Sequence, residues 1–211
     1  MSPKNVSTQT LRRLPQYLNY LKSLSIESYP NISATVIAEA LGLNNVQVRK
    51  DLASVSDGGK PKIGYATKSL IRDIERFLGY DDAESAVIVG VGNLGRALFS
   101  YKGFKDYGLH IVAGFDRSEA VVGSEISGKP VLSVDRLGDL CRRMKIHIGI
   151  ITVPDDAAQQ VCDILVQNGV VAIWNFASVH LNVPDNVLVQ NENMAASLAV
   201  LSKHLSERFL E

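Results

Sequence analysis

The sequence predicts an α/β protein in which a helical domain, residues 1–80, precedes a doubly wound parallel-sheet domain, residues 81–192, and a terminal helix, residues 193–211. Two observations lead to this fold class. In the first domain the apolar residues recur at the helical period, every three or four positions. In the second, short β-branched runs alternate with helical stretches, which is typical of a parallel sheet covered on both faces. Glycine and acidic residues at 79–85 interrupt both patterns and mark the junction.

Composition narrows the class of protein further. With 46% hydrophobic residues and 22 acidic against 22 basic residues, the 211-residue chain suits a folded globular protein and excludes a disordered one. Residues 1–80 hold 11 basic and 6 acidic residues, a net charge of +5, so the remainder carries −5. A basic first domain beside an acidic second one indicates that the first contacts nucleic acid.

Three features predict a cytoplasmic protein that neither spans a membrane nor contains a metal site. The N-terminus lacks the apolar stretch of a secretory signal. No apolar run approaches the roughly 20 residues of a membrane span. Cys141 and Cys162 are the only cysteines, too few for a disulfide framework or a four-cysteine zinc site.

The first domain contains a predicted helix-turn-helix unit. An amphipathic helix comes first, with its apolar stripe at Leu11, Leu14, Leu18, Leu21 and Leu24. Ser33 is suited to cap a helix over 34–41, and Gly42 is suited to end it. After a short turn, Asn45 is expected to cap a second helix over 46–54.

The second of these helices has the two faces of a recognition helix. Val48, Leu52 and Val55 are spaced to face the core. We assign the solvent-facing positions to the DNA surface: Asn45, Gln47, Arg49, Lys50 and Ser54. Gln47 and Lys50 lie near the start of the helix, where a recognition helix meets base edges.

A basic, glycine-rich hairpin, SDGGKPKIGYAT, follows this helix. A tight turn is predicted at 57–59, with Lys60 and Lys62 flanking Pro61 and contacting phosphates. Together with the two helices, the hairpin predicts a winged helix-turn-helix domain. The alternative is a three-helix bundle that carries an ordinary lysine hairpin on its surface.

The second domain opens with a predicted dinucleotide-binding turn. A β-branched strand leads into Gly90, Val91, Gly92, Asn93, Leu94 and Gly95, and a helix continues from there. In this G-x-G-x-x-G spacing the first glycine permits the tight turn, the second lets the backbone approach a pyrophosphate, and the third lets the helix pack on the strand. The alternative is a purely structural turn.

Further candidates follow the other strands, at the edge of the sheet where ligands bind. Asp116 ends the second strand, 26 residues beyond the first glycine, where a carboxylate accepts hydrogen bonds from ribose hydroxyls and favours NAD over NADP. Arg117 beside it weakens that choice, because a guanidinium accommodates a phosphate or stacks on adenine. The residues expected to enclose the nicotinamide end are Thr152, Pro154, Asn175, Phe176 and Ala177. For Thr152 a helix cap, and for Phe176 a core position, remain alternatives.

The sequence favours a sensor over an enzyme. Only 34 residues follow Ala177, too few for a substrate domain, and His180 is the one candidate acid or base, without a visible partner. A small NAD-dependent oxidoreductase is the alternative. The amphipathic helix over 193–210 packs either on its own sheet or on a second subunit, and helix-turn-helix proteins usually act as homodimers on palindromic sites.

Over nearly its whole length the sequence resembles the Rex family of redox-sensing transcriptional repressors. The motifs that carry the resemblance are QVRKDL at 47–52, GY at 64–65, GVGNLG at 90–95, FD at 115–116, TVP at 152–154 and NFA at 175–177. The resemblance implies a homodimer that exchanges terminal helices, binds NADH and NAD⁺, and releases operator DNA when NADH displaces NAD⁺. It also implies that Tyr101 lies near the nicotinamide and that Tyr65, at the end of the wing, belongs to the DNA surface.

The sequence also departs from that family's pattern. Ser54-Val55-Ser56 stands where relatives carry Tyr-Phe-Gly, and Pro61-Lys62 stands where they carry Arg-Gly, so operator preference is expected to differ. An Arg and an Asp that pair in some relatives correspond to Asn19 and Asn193, both uncharged. This favours a paralogue with weakened redox coupling as an alternative to an ordinary family member.

Overall fold

The computed structural model describes residues 6–209. These residues form two compact units that divide between Asp82 and Ala83, inside the junction predicted at 79–85. None of the described helices combines the length and the apolarity needed to cross a membrane.

The first unit is helical, with a two-stranded antiparallel ribbon. Its elements are α1 (Thr8–Ser23), β1 (Asn31–Ile32), α2 (Ala34–Leu41), α3 (Asn45–Val55), β2 (Tyr65–Ala66) and α4 (Thr67–Leu78). Leu14, Leu18 and Leu21 of the predicted stripe are buried. The prediction was wrong for Leu11, which is exposed because Thr10 turns inward and its hydroxyl donates to Asp51.

The two central helices begin and end close to the predicted positions. Ser33 caps α2 through the backbone N–H of Val36, and Gly42 ends it with φ +64°. The cap of α3 is Asn44, one residue before the predicted Asn45, because the Asn44 carboxamide oxygen accepts from the N–H groups of the helix's first turn.

The wing, residues 57–64, makes its turn later than predicted. Lys60 and Gly64 pair across the hairpin, and the turn lies at 61–63 instead of 57–59. Pro61 presets one turn residue, and Lys62 takes a left-handed backbone, φ +66°. Gly59 serves a different purpose: a Cβ there would lie 2.8 Å from the Tyr65 ring.

The second unit is a seven-stranded sheet with helices on both faces, as the α/β prediction requires. The elements in chain order are β3 (Glu84–Val89), α5 (Asn93–Ser100), β4 (Leu109–Asp116), β5 (Glu125–Ile126), β6 (Lys129–Ser133), α6 (Leu137–Met144), β7 (Ile148–Ile151), α7 (Asp155–Gln167), β8 (Ala172–Asn175), β9 (Leu188–Asn191) and α8 (Met194–Arg208). The strand order is β5-β6-β4-β3-β7-β8-β9, and all pairings are parallel except that of β5 with β6.

Two apolar layers cover the sheet. Val87 and Val89 of β3 belong to the layer that contains α6 and α7, whereas Ala86 and Ile88 face the layer that contains Phe99 of α5. This alternation buries β3 on both faces. The strands β6 and β9 were not predicted, because the sequences KPVLS and LVQN lack a continuous apolar run.

The terminal helix α8 does not pack on its own sheet. Asn193 caps it by accepting from the N–H of Ala196. Every described side chain from Ala195 onward is exposed, and the large apolar ones are more than half exposed: Leu198, Val200, Leu201, Leu205 and Phe209. The side chain of Met194, and Leu210 at the predicted helix end, lie outside the described residues.

Candidate functional site

A cleft of about 620 Å³ opens at the carboxyl edge of the parallel sheet, between the ends of β3, β4 and β7. The strand order reverses between β3 and β7, and such a switch point is where open α/β sheets bind ligands. Six of the predicted nucleotide-binding residues line the cleft: Gly90, Gly92, Asp116, Arg117, Thr152 and Pro154.

Each glycine of the motif has its own geometric reason. Gly90 has φ +93°, and a Cβ there would lie 2.8 Å from the Thr152 backbone. At Gly95 a Cβ would lie 1.8 Å from the Gly90 carbonyl oxygen, so only glycine lets α5 approach β3. Nothing lies within 4 Å of a Cβ built on Gly92, which leaves open space in front of that backbone. This is the arrangement that a bound pyrophosphate needs.

Asp116 is bound to the turn that it faces. Its Oδ2 accepts from the Val91 N–H at 2.7 Å and its Oδ1 from the Ser118 N–H at 2.9 Å. A carboxylate has about four acceptor sites, so capacity for ribose hydroxyls remains. The helix α5 begins at Asn93, and no side chain caps it. The backbone N–H groups of its first turn, which includes Leu94, therefore stay available to phosphates.

Thr152 closes the floor of the cleft. Its hydroxyl donates to the carbonyl oxygens of Val89 and Gly90, at 3.0 and 2.6 Å. The alternative of a helix cap is wrong, because α7 follows Pro154 without any side-chain cap. Thr152 therefore holds β7 to the nucleotide turn.

Asn175, the last residue of β8, and the two residues after it are placed differently from the prediction. The Asn175 carboxamide is fully buried and bonds within its own loop and to Asn191, so it has no group free for a nicotinamide. Ala177 is buried in the core. Phe176 packs on Trp174 with ring centroids 5.0 Å apart, which agrees with the alternative of a core aromatic. None of the three lines the cleft.

Tyr101 also lies outside the cleft within its own unit. It ends α5, is half exposed, and meets Phe104 edge to face. The cavity that it lines is a separate one, which also contains His110 and Lys129.

Several cleft residues had no signal in the sequence. Val134 and Asp135 follow β6, whose strand was not recognised, and α7 contributes Gln160 and Ile164 from one face. A search for a polar residue after every strand would have found Asp135 if β6 had been recognised. The α7 residues depend on how that helix crosses the sheet.

The two cysteines and His180 of the second unit do not line the cleft. Burial raises the pKa of Cys141 and of Cys162 to about 11, with Asp163 adding to the effect at Cys162, so both thiols are protonated at neutral pH. His180 is exposed beside a different cavity. Within residues 6–209, no group of three or more His, Cys, Asp or Glu side chains is placed to hold a metal ion.

The first unit presents two polar grooves, one on each side of α3. The α1–α3 groove, about 510 Å³, is lined by Arg13, Gln47, Lys50 and Ser54 among others. The wing groove, about 520 Å³, is lined by Arg49, Lys60 and Lys62 together with hydroxyl groups of α2. The cationic side chains predicted for DNA thus flank one helix, as phosphate contacts on either side of a recognition helix require.

Three predicted DNA residues have internal roles instead. Tyr65 is 8% exposed and packs in the core beneath the wing. The Ser54 hydroxyl donates to the Asp51 carbonyl oxygen. Asn45 is half-buried, and its amide donates to the Thr35 hydroxyl at 2.9 Å. These contacts hold the three side chains within the fold, although Ser54 and Tyr65 also line the two grooves.

A buried ionic cluster ties α3 to α1. Asp51 is 5% exposed and receives bonds from the Arg13 guanidinium at 2.8 and 3.0 Å, the Tyr17 hydroxyl at 2.8 Å and the Thr10 hydroxyl at 3.0 Å. Burial opposes its ionisation, but these bonds outweigh burial and lower the pKa of Asp51. Burial, with help from Asp51, raises the pKa of Tyr17 to about 12.

Comparison with known proteins agrees with this division. Residues 81–179 match the family described as "CoA binding domain", and residues 5–53 match "Putative DNA-binding protein N-terminus". The crystal structure of RSP in complex with β-NAD⁺ and operator DNA superposes with a TM-score of 0.91, at 35% identity, over 98% of this chain and 95% of that one. For RSP in complex with β-NADH, the TM-score is 0.86, at 35% identity, over 97% and 96%.

Two curated relatives settle the family. The chain is 44% identical to the redox-sensing transcriptional repressor Rex of Treponema denticola, over 91% of each chain. It is 39% identical to that of Clostridium acetobutylicum, over 97% of this chain and 95% of the relative. The chain therefore belongs to the Rex family of redox-sensing transcriptional repressors.

Proposed function

We propose that this chain is a transcriptional repressor that binds operator DNA through its first unit and responds to the ratio of NADH to NAD⁺ through its second. The observation that carries the proposal is the pairing of an open nucleotide turn at Gly92 with a cationic helix-and-wing surface in one chain. A repressor of this kind acts in the cytoplasm, where DNA and the nicotinamide pool are both present.

The cleft suits a dinucleotide. Asp116 would hold the adenosine ribose, the backbone at Gly92 and the first turn of α5 would hold the pyrophosphate, and Val134 and Ile164 offer apolar walls. When bound, the dinucleotide supplies the redox-dependent charge and shape of its nicotinamide ring. We expect the protein to contribute selective binding, because no His or Cys is among the residues that line the cleft, and its two carboxylates, Asp116 and Asp135, already accept hydrogen bonds from neighbouring groups.

A homodimer formed through α8 belongs to the same proposal. Its large apolar side chains are not covered by any other part of residues 6–209, and Leu201 is 63% exposed. Unpartnered apolar surface of this kind is typical of a subunit interface. Two-fold pairing would also match a palindromic operator.

Retardation of a palindromic promoter fragment tests the DNA half of the proposal, with NADH or NAD⁺ added to test the sensing half. We expect Lys50→Ala and Lys62→Ala to weaken operator binding. In Lys62→Ala the slope of log binding constant against log salt concentration should also fall by about one, the contribution of one phosphate contact. Lys102→Ala, an exposed lysine of the second unit, is the matched control. Unchanged binding in both test variants contradicts the assignment of this surface.

A paralogue with weakened redox coupling is a second candidate, favoured by Asn193. In some relatives an aspartate at this position pairs with an arginine, whereas here the Asn193 carboxamide caps α8. Operator affinity measured across several ratios of NADH to NAD⁺ decides between the two. A loss with NADH as large as that of ordinary family members excludes weakened coupling. Oxidation of NADH in the presence of a substrate would instead favour the small oxidoreductase.

A further inference from the structure

Gln47 is the exposed base-reading candidate on α3, and its amide is held by Arg13. The Arg13 side chain reaches from α1 across Asp51 to Gln47, and its guanidinium nitrogens lie 2.9 and 3.2 Å from the Gln47 carboxamide. A guanidinium has donors only, so the amide must turn its oxygen towards Arg13 and its NH₂ away.

Asp51 fixes the position of that guanidinium. Two of the guanidinium nitrogens bond to the carboxylate, at 2.8 and 3.0 Å. The Tyr17 hydroxyl also donates to this carboxylate, which holds it in place, so the Arg13 guanidinium bonded to it has little freedom to move. A planar guanidinium held in this way imposes its orientation on the next group in line.

We propose that Arg13 is a specificity-determining positioning residue, which makes Gln47 present only hydrogen-bond donors to the major groove. An unrestrained glutamine can offer both its oxygen and its NH₂ and pairs with adenine. With its oxygen engaged, Gln47 instead suits an acceptor-bearing edge such as guanine O6 and N7, and it disfavours cytosine, whose edge presents an N–H donor. This inference rests on the proposed operator binding.

The test uses the full chain and an operator library in which each half-site position is varied. Gln47→Glu keeps an oxygen towards Arg13 but turns a second oxygen outward, so the outward donor becomes an acceptor. At one base pair of the half-site, we expect the wild-type chain to bind guanine about 10-fold more tightly than cytosine. Gln47→Glu should reverse this preference, so that cytosine is bound more tightly at the same base pair. Gln16→Glu, the same charge change at an exposed position of α1, is the control and should lower affinity without changing any base preference.

Arg13→Lys completes the test. Lysine keeps a positive charge beside Asp51 but cannot hold the carboxylate in a fork and reach the amide at once. Discrimination at the Gln47 position should fall towards unity, while the other positions keep their preferences. If Arg13→Lys does not fold, the reversal in Gln47→Glu still decides.

The outcomes separate this inference from the proposed function. If the wild-type chain binds operator selectively but Gln47→Glu leaves every base preference unchanged, the inference is overturned and the repressor function stands. Arg13→Lys that folds and discriminates as well as wild type also overturns it. A wild-type chain without any selective DNA binding overturns both.

Discussion

Replacing Gly92 with alanine should weaken nucleotide binding strongly without harming the fold. A Cβ at this position meets nothing within 4 Å, and the Gly92 backbone, φ −73° and ψ −161°, is open to any residue. The folded structure therefore accepts the methyl group, and the loss of unfolded-state freedom stabilises the chain by up to about 1 kcal/mol. The methyl group fills the space in front of the backbone that a pyrophosphate must approach, so the Kd for NADH should rise at least about 10-fold.

Gly95→Ala is the matched variant with the opposite outcome. Its Cβ would lie 1.8 Å from the Gly90 carbonyl oxygen, and ordinary contact begins near 3.4 Å. The helix α5 must therefore retreat from β3 by about 1.6 Å. Overpacking of this kind costs about 3 kcal/mol, which is roughly 10 °C in Tm.

Thermal unfolding and titration with NADH, followed by nicotinamide fluorescence, measure both quantities on the same samples. We expect Gly92→Ala to keep the wild-type Tm within a few degrees but to bind NADH much more weakly. Gly95→Ala should instead have a lower Tm than wild type. Operator binding by Gly92→Ala should persist and become insensitive to NADH. Wild-type affinity for NADH in Gly92→Ala would refute the assignment of this turn to the pyrophosphate.

Three further predictions concern other parts of the chain. Asp51→Asn removes the charge that pairs with the partly buried Arg13 and should cost about 3 kcal/mol at pH 7 in denaturant unfolding. Because the pKa of Asp51 is lowered, its stabilisation is present above the ordinary aspartate pKa and is lost as the pH falls from there through the lowered pKa, so a difference between variant and wild type that does not shrink in acid contradicts this account. Cys141 and Cys162 are buried, and burial raises the pKa of each thiol to about 11, so neither should react with iodoacetamide at pH 8 until the chain unfolds. Mass spectrometry measures the labelling, and rapid labelling of the native protein would contradict this prediction. Leu201→Glu in α8 should shift the molar mass in light scattering from dimer to monomer, and an unchanged mass would remove α8 from the interface.

The wing carries a strained position. Lys62 adopts φ +66°, a left-handed backbone that favours glycine. A left-handed backbone costs a residue with a Cβ about 1–2 kcal/mol. Lys62 nevertheless adds a second cationic group to the wing, beside Lys60. Operator contact through the wing is thus expected to depend more on phosphates than on groove shape.

Features coded by neighbours in sequence were predictable. The glycine spacing at 90–95, the caps and ends of α2, and the change of period at 79–85 all depend on local backbone geometry and on side-chain periodicity. The fold class follows from them, because strands alternating with helices have few ways to pack. Asp116 was predictable for the same reason, since it ends a strand beside the glycine turn.

Features that join distant segments were decided only by the tertiary structure. Arg13 and Asp51 lie 38 residues apart, and nothing local in either helix indicates that they pair. The sequence predicts that Asn175 and Tyr65 contact ligands, whereas the structure holds Asn175 by hydrogen bonds within its loop and packs Tyr65 in the core. The strands β6 and β9 carry polar residues and form because a neighbouring strand offers backbone partners. The sequence by itself therefore determined where the nucleotide turn and the DNA helix lie. Long-range packing decided which of their side chains stay free to bind, because burial and hydrogen bonding depend on residues far along the chain.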